Sequence, residues 1–172
     1  MKTTMNVLVL TAALVVAVPA VWAQGAADKE HAELAKALKN TRLPLERGIS
    51  ASTKEGKPIS AKYEVEDGKL QLSVYTMKAG DRFSEVIVDH TTGSVAKSEP
   101  ITQGDDLTHA KTQAEAMAKA KRSLQAAASG AVKQNRGYRV VSVMPSMKDG
   151  HPVAEVTLLK GEEWKTVSEK LD

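Results

Sequence analysis

The chain has 172 residues and a formal net charge of +3, with 24 Lys and Arg set against 21 Asp and Glu. Charges of both signs are interspersed, and one Phe, two Trp and three Tyr are too few for a base-stacking surface, so composition argues against nucleic-acid binding. There is no cysteine, which removes disulfides, a thiol nucleophile and a lipid-modified N-terminal cysteine together.

In chain order, the first 23 residues stand apart. Lys2 is followed by an apolar run, Val7 to Val18, broken only by Thr11, then by Pro19 and the small residue Ala23. This is the order of a secretory signal peptide cleaved before Gln24. Met5 to Ala23 is long enough to be weighed as a retained anchor, but Pro19 and the absence of a basic flank favour cleavage. The mature chain would run from Gln24 to Asp172 with net charge +2, periplasmic or secreted, with no stable membrane insertion.

A short helix is expected over about Asp28 to Lys39, capped by Asp28, with Leu34 and Leu38 on its buried side. A second is expected over Leu43 to Gly56, with Pro44 in its first turn and Leu45, Ile49 and Ser52 sharing a face. After Pro58 the period changes to two. Ile59, Ala61, Tyr63 and Val65 alternate with polar residues, Asp67-Gly68 signals a hairpin, and Leu70, Leu72 and Val74 line the return strand. A turn at Lys78 to Asp81, a strand over Phe83 to Asp89, a turn at Thr91-Thr92-Gly93 and a short extension at Val95 complete a meander under a helix. That is an α+β layer. Lys97 to Asp106 reads as a polar linker with Pro100 and Gly104.

The order then recurs at an offset near 80 residues. Thr108 to Asn135 is expected as one helix, with Met117, Ala120, Leu124, Ala128 and Ala131 as its buried stripe. Tyr138 to Met144 reads as a strand. Asp149-Gly150 stands for Asp67-Gly68, Gly161 for Gly80, Trp164 for Phe83 and Val167 for Val86. Each copy has about 70 residues, a size that is marginal alone, so the two are expected to pack together.

The strand pair YEVEDGKLQLSVY and above all FSEVIVDHTTGSV, Phe83 to Val95, resemble the PepSY family. The match runs over about Ala32 to Lys97; the second copy lacks the Thr-Gly turn and the last strand. The resemblance implies two tandem cystatin-like modules, each a helix on a three- to four-stranded antiparallel sheet. Their bounds would be 24–97 and 108–172, joined by 98–107. It further implies a non-catalytic exported protein that restrains a peptidase or binds another exported protein, with no catalytic residues and no cofactor to carry over.

The residues themselves offer little chemistry. Ser129-Gly130 lies in a helical stripe, where small residues serve close packing and no base is placed to activate the hydroxyl. His31, His90, His109 and His151 show no i, i+3 or i+4 pairing, so no metal ligand is assigned. Asp89-His90 is the best-placed pair, although Asp89 is expected to cap its own turn, and His151 would approach it only if the halves stack. Glu162-Glu163 falls at a turn, and Asp105-Asp106 ends the linker, where negative charge suits the N-terminus of the helix that follows. The competing expectation is a periplasmic accessory protein holding a metal or small ligand in the cleft between the halves.

Overall fold

A computed structural model describes the backbone of residues 21–172 and the side chains from residue 28 onward. Residues 1–20 of the proposed 23-residue leader therefore lie outside the described residues, and 21–23 belong to α1. Four helices and one seven-stranded antiparallel sheet form an α+β fold. The first half contributes α1 (Val21–Leu38), α2 (Leu45–Ser52), β1 (Lys57–Glu66), β2 (Lys69–Lys78), β3 (Arg82–Val88) and β4 (Val95–Ile101). The second contributes α3 (Gly104–Lys119), α4 (Leu124–Gln134), β5 (Arg139–Lys148), β6 (His151–Lys160) and β7 (Glu163–Lys170).

The expected period-2 strands form where alternation and turn residues agree. Asp67-Gly68 and Asp149-Gly150 take positive φ at both positions, 49° and 73° in the first pair and 50° and 82° in the second. Two left-handed residues match the twist of the flanking strands, and Asp-Gly tolerates them at low cost. Strand order is β4-β3-β2-β1-β5-β6-β7, so each half lays its meander outward from a central β1–β5 pair, joined at Ala61–Val143 and Lys62–Ser142.

Several boundaries differ from the sequence reading. The backbone is already helical at Val21, so Asp28 is a helix-interior residue and not a cap. α2 is shorter than expected, with Pro44 as its N-cap in extended conformation; its face of Leu45, Ile49 and Ser52 is buried as predicted. The polar stretch read as a linker is ordered: β4 runs to Ile101, and Gly104 to Asp106 form the first turn of α3. The helix expected over Thr108 to Asn135 is two helices. Ala120 is extended, and Ser123 starts α4 by accepting a hydrogen bond from the Ala126 N–H at 3.2 Å. The intervening turn donates the Lys121 and Arg122 N–H groups to the Leu171 carbonyl at 2.6 and 2.9 Å. A tertiary contact with the far end of the chain replaces the intrahelical bonds the local sequence would support.

One sheet face carries Ala61, Tyr63, Leu72, Val74 and Val86 of the first half and Val143, Ala154, Val156 and Leu158 of the second, all buried. α2 packs here so closely that a Cβ on Gly48 would stand 2.5 Å from Leu72 Cδ2. α4 covers the second half of the same face. The opposite face, polar by pattern, is covered by α3. Tyr75 and Ser73 are buried there, although alternation assigns them to solvent.

The halves also hold each other's helices. Arg139 at the start of β5 donates to the carbonyls of Leu38, Thr41 and Leu43, the connection between α1 and α2. Lys57 at the start of β1 donates to the Met117 carbonyl near the end of α3, at 3.1 Å. His31 of α1 stacks on Trp164 of β7, with centroids 4.3 Å apart. A single core, from Leu34 to Leu171, spans both halves.

Candidate functional site

Three places gather polar chemistry or leave binding groups uncovered. The first is the inner basin under α3. Tyr75 Oη donates to Asp106 Oδ1 at 2.7 Å, Ser73 Oγ donates to Glu64 Oε1 at 2.7 Å, and Gln71 Nε2 donates to Ser73 Oγ at 3.0 Å. Lys62 pairs with Glu64. Antiparallel register sets Tyr75 beside Ser60 and Glu85, and Ser73 beside Lys62, so neighbouring strands bring these groups together. A cavity of about 100 Å³ is lined by Ser60, Lys62, Ser73, Tyr75 and Asp106 of this cluster, with His109, Gln113 and Met144. Burial pushes the Glu85 carboxyl above its ordinary range; Glu64 and Asp106 add to the rise, and Ser73 and Lys62 oppose it. Burial, followed by the Asp106 carboxylate, likewise raises the Tyr75 phenol, which stays protonated and donates. Gln113 Oε1 is enclosed without a partner.

The second place is a cleft of about 300 Å³ at the junction of the halves. Ile49, Thr53, Lys57 and Pro58 enter from the first half, and Met117, the α3–α4 turn and the first two residues of α4 enter from the second. Arg122 at its border is committed elsewhere: it bonds Glu169 Oε2 at 3.3 Å, the Lys170 carbonyl at 2.7 Å and the Ala126 carbonyl at 3.3 Å. Glu169 is buried beneath α4 and also accepts from Gln134 Nε2 at 3.1 Å, so this interior charge is fully partnered.

The third is the outer edge of β7. The Leu171 N–H bonds inward to the Pro152 carbonyl at 3.0 Å. Alternation along an antiparallel strand then directs the backbone groups of Trp164, Thr166 and Ser168 outward. Among the described residues nothing bonds them. In the first half the equivalent strand, β3, is covered by β4 from Phe83–Ile101 to Val88–Val95. β4 itself is an edge blunted by Lys97, Glu99 and Pro100. β7 contains no proline.

The residues singled out in the sequence are dispersed. Asp89 Oδ1 accepts the N–H groups of Thr91 and Thr92 at 2.7 and 3.1 Å; these bonds hold its carboxyl below the ordinary range. His90 Nδ1 is enclosed and unpaired. His151 does not approach Asp89; it lies at the start of β6, at the opposite end of the sheet, with Nδ1 2.7 Å from Asp172 Oδ2. Ser129 sits on α4 beside Gly130, where a Cβ would meet Arg122 Nη2 at 3.0 Å and Glu169 Oε2 at 3.2 Å, so the small residue admits the ion pair. Glu162 pairs with Lys39 across the halves at 3.5 Å, and Glu163 closes the β6–β7 hairpin opposite Lys160. Asp105 and Asp106, read as the end of the linker, lie inside the first turn of α3, and Asp106 has the additional Tyr75 bond. Among the described residues no three His, Asp or Glu side chains converge as a metal site. No helix of the described residues is long and apolar enough to cross a membrane.

No family model matches the chain, and no curated protein matches it. Among solved structures it is similar to a candidate lipoprotein of Clostridium difficile 630, at 13% identity and a TM-score of 0.41, over 77% of this chain and 89% of that one.

Proposed function

We propose that this is an exported, non-catalytic binding protein of PepSY type, built of two tandem cystatin-like modules, that receives an extended segment of another exported protein on the outer edge of β7. A peptidase is the leading class of partner. The observation that carries the reading is the uncovered edge. Each half runs helix, helix and three-stranded meander in the same order, yet β4 covers the outer side of the first meander and, among the described residues, no strand covers that of the second. An added strand would take on β7 the place that β4 takes on β3. Main-chain hydrogen bonds would supply affinity, and the flanking side chains Trp164, Lys165 and Val167 would supply selectivity.

The test uses one backbone group. Thr166→Pro deletes an outward N–H and leaves the inward ladder intact, because Thr166 faces Thr157 at a position whose main-chain groups point away from β6. Thr166→Val keeps the N–H. Exported proteins of the source cell that are captured by the wild type and by Thr166→Val, but lost with Thr166→Pro, support the reading. Equal capture by all three overturns it, as does sedimentation showing the edge occupied by a second copy. Mass spectrometry of the exported chain tests the leader: an N-terminus at Gln24 is expected.

A further inference from the structure

We propose that the junction cleft is a binding site for a medium-chain carboxylic acid, held by an apolar floor and a lysine rim. The floor is Ile49, Met117 and Leu124, each almost wholly buried in the core yet lining the cavity. The rim carries Lys57 and Lys121, both exposed, and no Asp or Glu lines the cleft. Lys57 spends one proton on the Met117 carbonyl and keeps two for a ligand. Lys121 forms no salt bridge among the described residues. Arg122 is neutralised by Glu169, so the unpaired charge at the mouth belongs to the two lysines.

This combination selects ligand chemistry by elimination. A neutral apolar ligand would fill the floor but leave the lysines crowded by apolar atoms without a counter-charge. A small inorganic anion would meet the lysines and leave the floor wet. A carboxylate on a short apolar chain satisfies both, with charge-assisted hydrogen bonds at one end and buried methylenes at the other. The volume of about 300 Å³ sits at the lower limit for ligand pockets and excludes a two-chain lipid. The cleft shares no residue with the outward groups of β7, so the proposal stands apart from the protein-binding reading.

Calorimetry of the exported chain with butanoate, hexanoate and octanoate is the test, with 1-octanol and a leucine dipeptide, as free acid and as amide, for comparison. Affinity should rise about fourfold per added methylene. Octanol should bind at least about tenfold more weakly than octanoate, and Lys121→Gln should cost octanoate about tenfold. Lys57→Gln should act similarly, but it also frees the Met117 carbonyl. Lys121→Gln, whose melting point should match the wild type, is therefore the deciding variant. No heat with octanoate, equal affinity for octanol, or unchanged binding by Lys121→Gln overturns the proposal. A dipeptide acid that outbinds octanoate and fails when amidated also overturns it, in favour of a chain terminus. Capture of proteins at β7 should be unaffected by either lysine variant.

Discussion

Replacing Arg139 with Met tests whether the two halves are one cooperative unit. The Arg139 guanidinium bonds the carbonyls of Leu38, Thr41 and Leu43 at 3.1, 2.9 and 3.1 Å and lies 5.6 Å from the Tyr63 ring centroid. Methionine fills much of the same volume and removes all three bonds, and partly buried carbonyls are left to find water. Hydrogen bonds to charged groups are worth about 1.5–3 kcal/mol each, but bonds sharing one guanidinium do not add, so a loss of roughly 3 kcal/mol is expected. For a chain of this size that lowers the melting temperature by roughly 6–12 °C. Arg139→Lys should recover less than half, because one ammonium cannot span three separated carbonyls as a planar fork does. Thermal unfolding followed by circular dichroism, and separately by Trp164 fluorescence, should give one coincident transition in every variant. A fall of less than about 2 °C for Arg139→Met, or two separate transitions, would refute the mutual clamp.

Three further changes probe the packing and the basin. Gly48→Ala should destabilise by about 1–3 kcal/mol despite its better helix propensity, because the new methyl meets buried Leu72, and chemical denaturation measures the change. Ser123→Ala should cost about 1 kcal/mol by removing the cap of α4, read in the same assay. Glu85 has a raised carboxyl in the folded state, so the fold binds its proton more tightly than the unfolded chain does. That contribution is fully present below the unfolded value and is lost as pH rises through the folded one. Glu85→Gln should therefore flatten this pH dependence and be more stable than wild type at neutral pH. A parallel offset at every pH would contradict the assignment.

The strands, the hairpins and the matching order of elements in the two halves were legible because each rests on short-range signals: period-2 alternation from Ile59 to Val74, and Asp-Gly at both hairpin tips. The offset falls from 82 between Thr76 and Leu158 to 81 between Phe83 and Trp164, because the three residues Ala79 to Asp81 are answered by only Gly161 and Glu162. The Ser123 cap was also present as a signal, but a continuous run of helix-forming residues hid it. What was not legible depends on distant partners. Polar alternation at Ser60, Lys62, Ser73 and Tyr75 reads as a solvated face, and only the return of α3 across it makes those residues a basin. Likewise the exposed run Lys97 to Pro100 resembles a linker until β3 supplies its hydrogen bonds.

The same distinction explains why the candidate sites carry no sequence motif. The junction cleft takes Lys57 from one half and Lys121 from the other, 64 positions apart, and neither sits in a recognisable pattern. The open edge of β7 is defined by what its counterpart β3 has and it lacks. A sheet edge need not cost stability if it is short, twisted and charged. β7 has the charges, in Glu163, Lys165 and Lys170, yet keeps a proline-free ladder at Trp164, Thr166 and Ser168. β4 by contrast ends in Glu99-Pro100. The asymmetry between two otherwise parallel halves makes β7 the edge where a binding experiment is most informative.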